Sequence, residues 1–170
     1  MSNVRFIIVM GVSGCGKSTV AALLAARLGW DFMEGDALHP QSNVEKMRQG
    51  IALTDEDRAP WLREIARTIH GWRADGKAGI IACSALRRRY RDIITDQKED
   101  VRFVYLRGSF SLIEQRLVSR QGHYMPASLL DSQFEALEEP GAGEPAITLD
   151  TGAPAHKLVN EVLNRLHLEG

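Results

Sequence analysis

The feature that most restricts the fold of this chain is a glycine-rich octapeptide between a short apolar run and a segment of helix formers. The octapeptide, residues 11–18, reads GVSGCGKS and fits the pattern G-x-x-x-x-G-K-[ST]. Apolar residues 6–10 precede it, and Gly29 closes the helix-forming segment that follows. A strand, a glycine loop and a helix in this order make the pattern a phosphate-binding loop.

The octapeptide also predicts how phosphate groups would be bound. Glycines let the backbone curl so that successive N–H groups point at anionic oxygens, and the start of a helix adds partial positive charge. In such loops the lysine, here Lys17, reaches the β- and γ-phosphates, and the hydroxyl, here Ser18, ligates Mg²⁺. The predicted nucleotide-binding residues are Gly11, Val12, Ser13, Gly14, Cys15, Gly16, Lys17 and Ser18.

One residue of the loop also has a predicted reactivity. Cys15 lies beside Lys17 and close to a helix N-terminus, and both features favour the reactive thiolate over the thiol. Cys83 falls at the end of a predicted buried strand. We therefore expect alkylating reagents to modify Cys15 first, and bound nucleotide to protect it.

Composition and charge exclude several classes of protein. The 170 residues are enough for one domain with a sizeable core, and a net charge of −1 gives no electrostatic case for binding nucleic acid or an anionic membrane. The two cysteines suit a reducing compartment, and the apolar run near the N-terminus is too short for a signal peptide or a membrane span. We expect a cytoplasmic protein with no nucleic acid and no membrane as partner.

Short apolar runs alternate with helical patterns along the chain. Strands are predicted at residues 5–10, 32–34, 79–84, 101–106 and 146–149, and helices at 17–28, 57–73, 88–95, 109–120, 126–137 and 154–166. Apolar strands separated by helices are typical of parallel sheets that are covered on both faces. The predicted fold is a single α/β domain, residues 1–170, with a doubly wound five-stranded parallel sheet.

Two segments are longer than this alternation requires. Residues of about 36–76 separate the second and third strands, and the polar residues 120–144 separate the fourth and fifth. Long loops in compact domains are usually functional. We predict an acceptor-binding flap and a closing lid that keeps water away from a phosphoryl transfer. Plain surface insertions are the alternative.

Two carboxylates follow the second strand, in Glu34-Gly35-Asp36. Residues i and i+2 at a strand end lie on the same side, so both can face the cleft beyond the carboxyl ends of the strands. One would hold a metal-bound water and the other would accept a hydroxyl proton. A solvated acidic turn is the alternative. Residues 80–84, at the third strand, contain no aspartate, which argues against the switch and motor classes of phosphate-loop protein.

Arginine and histidine side chains are candidates for binding anions and hydroxyl groups. Arg116 and Arg120 lie four residues apart on one predicted helix face that leads into the lid. A lid arginine would stabilise the charge of a transferring phosphoryl group. His39 and His123 lie in loops, where they would hydrogen-bond a polar substrate. Ordinary solvated surface positions are the alternative for each of these side chains.

Several longer blocks of the chain resemble bacterial gluconate kinases. They are residues 34–40 (EGDALHP), 43–62 (NVEKMRQGIALTDEDRAPWL), 83–92 (CSALRRRYRD), 120–125 (RQGHYM) and 129–140 (LLDSQFEALEEP). The resemblance implies a fold like that of nucleoside monophosphate kinases, related to shikimate kinase, in a family where dimers are common. It also implies ATP-dependent phosphorylation of D-gluconate at its 6-hydroxyl, giving 6-phosphogluconate, with ATP and Mg²⁺ as cofactors.

The resemblance and the motifs together assign roles to individual residues. The predicted catalytic residues are Lys17, Asp36 (the base for the acceptor hydroxyl) and the lid arginine Arg120. The predicted gluconate ligands are Asp36, His39, Arg58, Arg87 and His123. The arginines are chosen because a carboxylate prefers a bidentate guanidinium. Arg116 adds to the nucleotide site, Ser18 ligates the metal, and the chain is expected to form a homodimer that binds D-gluconate and ATP.

Two other functions remain open on the sequence alone. One is a kinase for another small hydroxy acid, such as shikimate. The other is a non-catalytic nucleotide-binding switch that signals to a protein partner. The paired carboxylates after the second strand and the absence of aspartate at the third strand argue against the switch.

Overall fold

Five parallel strands form the centre of the fold, and helices cover both faces of the sheet. The computed structural model describes residues 3–119 and 130–169. The strands are β1 (Phe6–Met10), β2 (Asp31–Glu34), β3 (Gly79–Ala82), β4 (Val101–Arg107) and β5 (Ala146–Asp150). The helices are α1 (Lys17–Leu28), α2 (Gln41–Arg48), α3 (Asp55–Ala74), α4 (Arg88–Thr95), α5 (Phe110–Ser119), α6 (Leu130–Ala136) and α7 (Ala155–Arg165), with a 3₁₀ turn at Gly35–Leu38. The all-parallel order β2-β3-β1-β4-β5 confirms the predicted doubly wound α/β fold.

Parallel pairing brings the carboxyl ends of the strands to one edge of the sheet. β1 is central, with Phe6 aligned to Gly79 of β3 on one side and to Val101 of β4 on the other. β2 lies beyond β3, with Glu34 aligned to Ala82. The phosphate-binding loop, the 3₁₀ turn and the segment after β3 therefore all start from the edge where ligands bind in open α/β sheets.

Each face of the sheet is sealed by its own hydrophobic cluster. Alternate residues of β1 point to opposite faces, so Ile7 and Val9 join one cluster while Ile8 and Met10 join the other. The first cluster includes residues of α1, α5 and α7, and the second includes residues of α3 and α4. Because both faces are covered, β1 has no solvent side and reads as a continuous apolar run.

The helices differ from the sequence prediction mainly in the flap. The sequence pattern predicts no helix at residues 41–48, where α2 forms with only Asn43 and Met47 buried. α3 starts at Asp55, before the predicted residue 57, because a capping box holds its first turn. The Thr54 hydroxyl accepts a hydrogen bond from the Asp57 N–H (3.1 Å), and the Asp57 carboxylate accepts one from the Thr54 N–H (2.9 Å).

The predicted lid is described only in part. Residues 120–129 lie outside the described residues, as does the start of the helix predicted at 126–137, of which α6 forms the second half. In the part of the chain that is described, no helix is both long and apolar enough to cross a membrane. Both cysteines are free thiols with buried side chains.

Candidate active site

The phosphate-binding loop curls tightly between β1 and α1. Gly14 and Gly16 have φ angles of 84° and 96°, in the left-handed region that glycine adopts without strain. At Gly11 a Cβ atom would lie 2.6 Å from the Cys15 sulfur and 2.9 Å from the Leu106 carbonyl oxygen, so a larger residue would disturb the loop. Gly16 caps α1 without a side-chain hydrogen bond, so no side chain at the cap competes with an anion for the first-turn N–H groups.

A hydrogen bond joins this loop to the end of β2. The Ser18 hydroxyl donates to the Glu34 carboxylate, with 2.5 Å between Oγ and Oε2. The next residue, Gly35, has no room for a side chain, because a Cβ atom there would collide with the carbonyl oxygen of Ala82. Burial raises the pKa of Glu34, while the hydrogen bond from Ser18 lowers it. The hydroxyl and carboxylate oxygens are ligands of the kind that Mg²⁺ prefers.

A cleft opens between the loop, the flap and the segment after β3. Five of the site residues predicted from sequence line it: Ser13, Lys17, Asp36, His39 and Arg58. The other lining residues are Met47, Ile51, Ala52, Leu53, Trp61, Ser84, Leu86, Ser132 and Gln133. The fold thus gathers charged and imidazole groups from α1, the turn after β2 and α3 around one space.

Protein groups occupy hydrogen-bonding positions of the phosphate-binding loop. The Ser13 N–H donates to the side-chain oxygen of Gln133 on α6, at 2.6 Å. The Lys17 ammonium donates to the Val12 carbonyl oxygen, at 3.2 Å. Gln133 belongs to a block that resembles gluconate kinases, but no sequence signal gave it a role. Its oxygen accepts from a loop N–H as a phosphate oxygen would, which links α6 to the phosphate site.

Arg58 is fixed by side chains of α3 and α4. Its guanidinium donates to the Tyr90 hydroxyl at 3.1 Å and lies 5.4 Å from the centre of the Tyr90 ring. The Tyr90 hydroxyl donates in turn to the Asp55 carboxylate, at 2.5 Å, and Arg89 also donates to Asp55. Both hydrogen bonds lower the pKa of Asp55, and the one from Tyr90 has the larger effect. The hydroxyl of Tyr90 therefore connects Arg58 to a carboxylate that stays charged.

His39 lies against the indole ring of Trp61. The two rings are nearly parallel, with 4.1 Å between their centres and 15° between their planes. The indole N–H donates to the Gly35 carbonyl oxygen at 2.8 Å, which ties Trp61 to the acidic turn. Burial lowers the pKa of His39 to about 4, although the neighbouring Asp36 raises it. The side chain of Trp61 is almost fully buried, and it also lines the cleft.

The segment after β3 is held by a buried arginine that the sequence did not single out. Arg91 is 1% exposed and donates to the carbonyl oxygens of Ala85 and Glu138, both at 2.8 Å. It also pairs with the Glu144 carboxylate at 2.7 Å. Ala85 has a φ angle of 44°, unusual for a residue with a Cβ atom, and it precedes the cleft residue Leu86. Arg91 thus holds a strained wall of the cleft in place.

A second pocket lies on the other side of the phosphate-binding loop. Arg116 donates to the Cys15 carbonyl oxygen at 3.3 Å and to the Thr151 carbonyl oxygen at 2.7 Å. It therefore joins the loop to the segment after β5. The pocket is lined by Gly14, Cys15, Gly16, Thr19, Val20, Arg116, Ser119, Thr151, Ala153, Ala155 and Leu158.

The expected reactivity of Cys15 is wrong. Its side chain is fully buried, as is that of Cys83, and burial raises the pKa of both thiols. Lys17 lowers the pKa of Cys15, as the sequence suggested, and Arg116 lowers it too, but burial has the larger effect. The sulfur packs closely against Gly11.

Of three other predicted site residues, one does not line the cleft and two fall outside the described part of the chain. Arg87 is the N-cap of α4 and follows the lining residue Leu86, but it is not among the lining residues in the described part of the chain. Arg120 and His123 lie outside the described residues.

A phosphate-binding loop that faces a carboxylate and an arginine across a cleft, at the carboxyl edge of a parallel sheet, defines a phosphate-loop kinase. Over most of its length the chain is similar to gluconokinases. It is 47% identical over 169 residues to the gluconokinase of Gluconobacter oxydans, covering 97% of this chain and 93% of that one. It is 42% identical over 153 residues to the thermoresistant gluconokinase of Escherichia coli, covering 89% and 87% of the two chains. The chain belongs to the gluconokinase family.

Family and structure comparisons agree with that assignment. The AAA domain family model matches residues 6–140. A gluconokinase structure from Sinorhizobium meliloti superposes with a TM-score of 0.87 at 42% identity, covering 98% of this chain and 94% of that one. A sugar kinase from a Janibacter species superposes with a TM-score of 0.93 at 43% identity, covering 97% and 95%. Shikimate kinase from Aquifex aeolicus, at 16% identity and a TM-score of 0.59 over 95% and 96% of the chains, shares the fold.

Proposed function

We propose that this chain transfers the γ-phosphoryl group of ATP to the 6-hydroxyl of D-gluconate, giving 6-phospho-D-gluconate and ADP. The observation that carries the proposal is that Lys17, Asp36 and Arg58 line a single cleft. An ammonium for phosphate, a carboxylate for a hydroxyl proton and a guanidinium for a substrate carboxylate are the groups this reaction needs. The names of its relatives at 40–47% identity support the choice of gluconate.

ATP is proposed to bind along residues 11–18, with its phosphates on the loop N–H groups and on Lys17. The second pocket, which Arg116 and Thr151 line, is available for the rest of the nucleotide. The hydrogen bond between Ser13 and Gln133 would then give way to a phosphate oxygen. Nucleotide binding would in this way release α6, which lies within the segment predicted as a lid.

Mg²⁺ is proposed to bind beside Ser18, the predicted metal ligand. The adjoining oxygens of Ser18 and Glu34 fit such an ion, and Glu34 would contact it directly or through a water. When bound, the ion supplies positive charge that offsets the charge of the phosphates.

The acceptor is proposed to lie between Asp36 and Arg58. Arg58 binds the gluconate carboxylate, and the carboxylate of Asp36 accepts the proton of the 6-hydroxyl as the oxygen attacks the γ-phosphorus. The bond from the γ-phosphorus to the β–γ bridging oxygen breaks, and ADP leaves. Apolar side chains of Met47 and Leu86 in the lining limit the access of water, which competes with the acceptor.

Further roles extend the proposal beyond the cleft. Arg87 and His123 would bind gluconate, and Arg120 would close over the transferring phosphoryl group, as the sequence blocks suggest. We also propose that the chain is a single domain with a flap at about 36–76 and a lid at about 120–144, and that it assembles as a cytoplasmic homodimer. Free, buried cysteines suit a reducing compartment, which supports the location. Light scattering during gel filtration measures the molar mass of the assembly and so tests for the dimer.

A coupled assay of ADP release tests the function. We expect release that depends on D-gluconate and exceeds the rates with shikimate, with other sugar acids and with no acceptor. Lys17→Ala should reduce kcat by roughly a hundredfold or more while the protein stays folded. The matched control is Lys157→Ala, on the exposed face of α7, which should keep full activity. Equal ADP release with and without gluconate would contradict the proposal.

A further inference from the structure

The amide of Asn43 has only one orientation that its surroundings allow. Asn43 is 2% exposed, and its side-chain nitrogen lies 2.8 Å from the backbone carbonyl oxygen of Asp57. A carbonyl oxygen can only accept a hydrogen bond, so the amide must turn its NH₂ group towards it. The opposite orientation would bring two acceptor oxygens together inside the protein. The contact with α3 therefore fixes which end of the Asn43 amide is the donor.

The same NH₂ group also faces a ring nitrogen of His39. The distance from Asn43 Nδ2 to His39 Nδ1 is 3.1 Å. An NH₂ group can only donate, so Nδ1 of His39 must accept and cannot carry a hydrogen. In a neutral imidazole the hydrogen then resides on Nε2. In a doubly protonated imidazole, the Nδ1 hydrogen would point at the hydrogens of Asn43.

Two further observations agree with a neutral, fixed ring. Stacking on Trp61, with 4.1 Å between the ring centres, restrains the plane of the imidazole. Burial lowers the pKa of His39 to about 4, and the charge of Arg58 adds to this effect, while Asp36 opposes it. His39 is therefore uncharged near neutral pH.

We infer that Asn43 is a positioning residue that holds His39 as the neutral Nε2–H tautomer, so that His39 donates a hydrogen bond to a substrate oxygen in the cleft. The inference rests on the proposed function and gives Asp36 and His39 different roles. Asp36 accepts the hydroxyl proton, and His39, whose remaining nitrogen already bears hydrogen, takes no proton and only orients the oxygen that it contacts. The oxygens of a polyhydroxylated acid are the acceptors that this donor suits.

The tautomer can be read directly, without turnover. Protein labelled with ¹⁵N-histidine contains five imidazoles, and the His39 signals are those missing from His39→Gln. Two-bond ¹H–¹⁵N spectra near neutral pH should show a protonated Nε2 and an unprotonated Nδ1 for His39. A hydrogen on Nδ1, or a charged ring, would overturn the inference. Because this measurement needs no substrate, its failure would leave the proposed kinase activity standing.

Two substitutions separate the ring nitrogens by function. In His39→Gln the side-chain amide reaches the place of Nε2 and can still donate, whereas in His39→Asn it reaches only the place of Nδ1. We expect kcat/KM for gluconate to fall roughly tenfold further in the asparagine variant than in the glutamine variant, as for one lost hydrogen bond. His70→Gln, at an exposed position of α3, is the matched control and should match the wild type. Equal losses in both His39 variants would overturn the donor role.

Asn43→Ala tests the positioning residue itself. The variant should show a mixture of His39 tautomers in the same spectra and a higher KM for gluconate, with KM for ATP unchanged. Thermal denaturation reports whether it folds, and the two His39 variants test the inference independently if it does not. A folded Asn43→Ala protein that keeps the pure Nε2–H tautomer would show that Asn43 does not set it.

Discussion

Ser18 of the phosphate-binding loop donates a hydrogen bond to Glu34, which ends a strand that is not adjacent to β1 in the sheet. β3 lies between β1 and β2. Residues 80–84, which cover most of β3 and the two residues after it, contain no aspartate. The carboxylate beside the Ser18 hydroxyl therefore comes from β2, which lies one strand further from β1 than β3 does. Gly35, which follows Glu34, packs so closely on β3 that a side chain there would collide with Ala82.

Glu34→Gln should weaken the response to Mg²⁺. The substitution keeps the size of the side chain but removes the charge that would attract the ion. We expect the Mg²⁺ concentration for half-maximal activity to rise roughly tenfold, as for loss of a partner around a metal site. Titrating Mg²⁺ at saturating gluconate measures it. An unchanged titration curve would remove Glu34 from the metal site.

Asp36→Asn should remove the proton acceptor while keeping size and hydrogen bonding. We expect kcat to fall by roughly a hundredfold or more, with nucleotide affinity little changed. Steady-state kinetics together with titration of a bound nucleotide separates the two effects. If only nucleotide or Mg²⁺ binding weakens, Asp36 belongs to the metal site and its role as base is wrong.

Tyr90→Phe should loosen Arg58 without removing it. The phenylalanine keeps the ring face under the guanidinium but lacks the hydroxyl that accepts from Arg58 and donates to Asp55. A lost hydrogen bond of about 1 kcal/mol corresponds to several-fold in KM for gluconate, with KM for ATP unchanged. Tyr105→Phe on β4, which lines neither the cleft nor the second pocket, is the control. Equal changes in both Michaelis constants would argue that Tyr90 only supports the fold.

The depressed pKa of His39 predicts a loss of stability in mild acid. The unfolded chain binds a proton at the ordinary pKa of 6.5, but the folded chain does so only near 4. Between these values the unfolded state holds more protons, so stability falls as pH drops from about 6.5 to about 4. The contribution of His39 to stability is fully present above that window. The free energy of unfolding in urea should therefore depend less on pH in His39→Gln than in the wild type across this window. Parallel curves would mean that His39 titrates normally in the folded protein.

The fold could be predicted because its signals are local. Strands buried on both faces, such as β1 and β3, read as apolar runs, and the phosphate-binding loop has a fixed pattern. The helix α2 could not be predicted, because only Asn43 and Met47 are buried in it and the sequence therefore shows no apolar helix face. Its existence depends on packing against the rest of the flap.

The site could be predicted in part for the same reason. Lys17 and Asp36 are set by short motifs, and the fold brings both to one cleft. The contact of Asn43 with His39 depends on a carbonyl oxygen fourteen residues further on, and that of Gln133 with Ser13 spans most of the chain. The error on Cys15 has a different source, since charge neighbours can be read from sequence but burial cannot.

The position of the transferred phosphate tests the proposed reaction most directly. D-gluconate labelled with ¹³C, incubated with the protein and MgATP, should give a product whose C6 signal is split by phosphorus, as expected of a phosphate ester at that carbon. The same incubation with Asp36→Asn should give little product in the same time. A phosphate ester at another carbon, or ADP release with no phosphorylated gluconate, would contradict the proposed reaction.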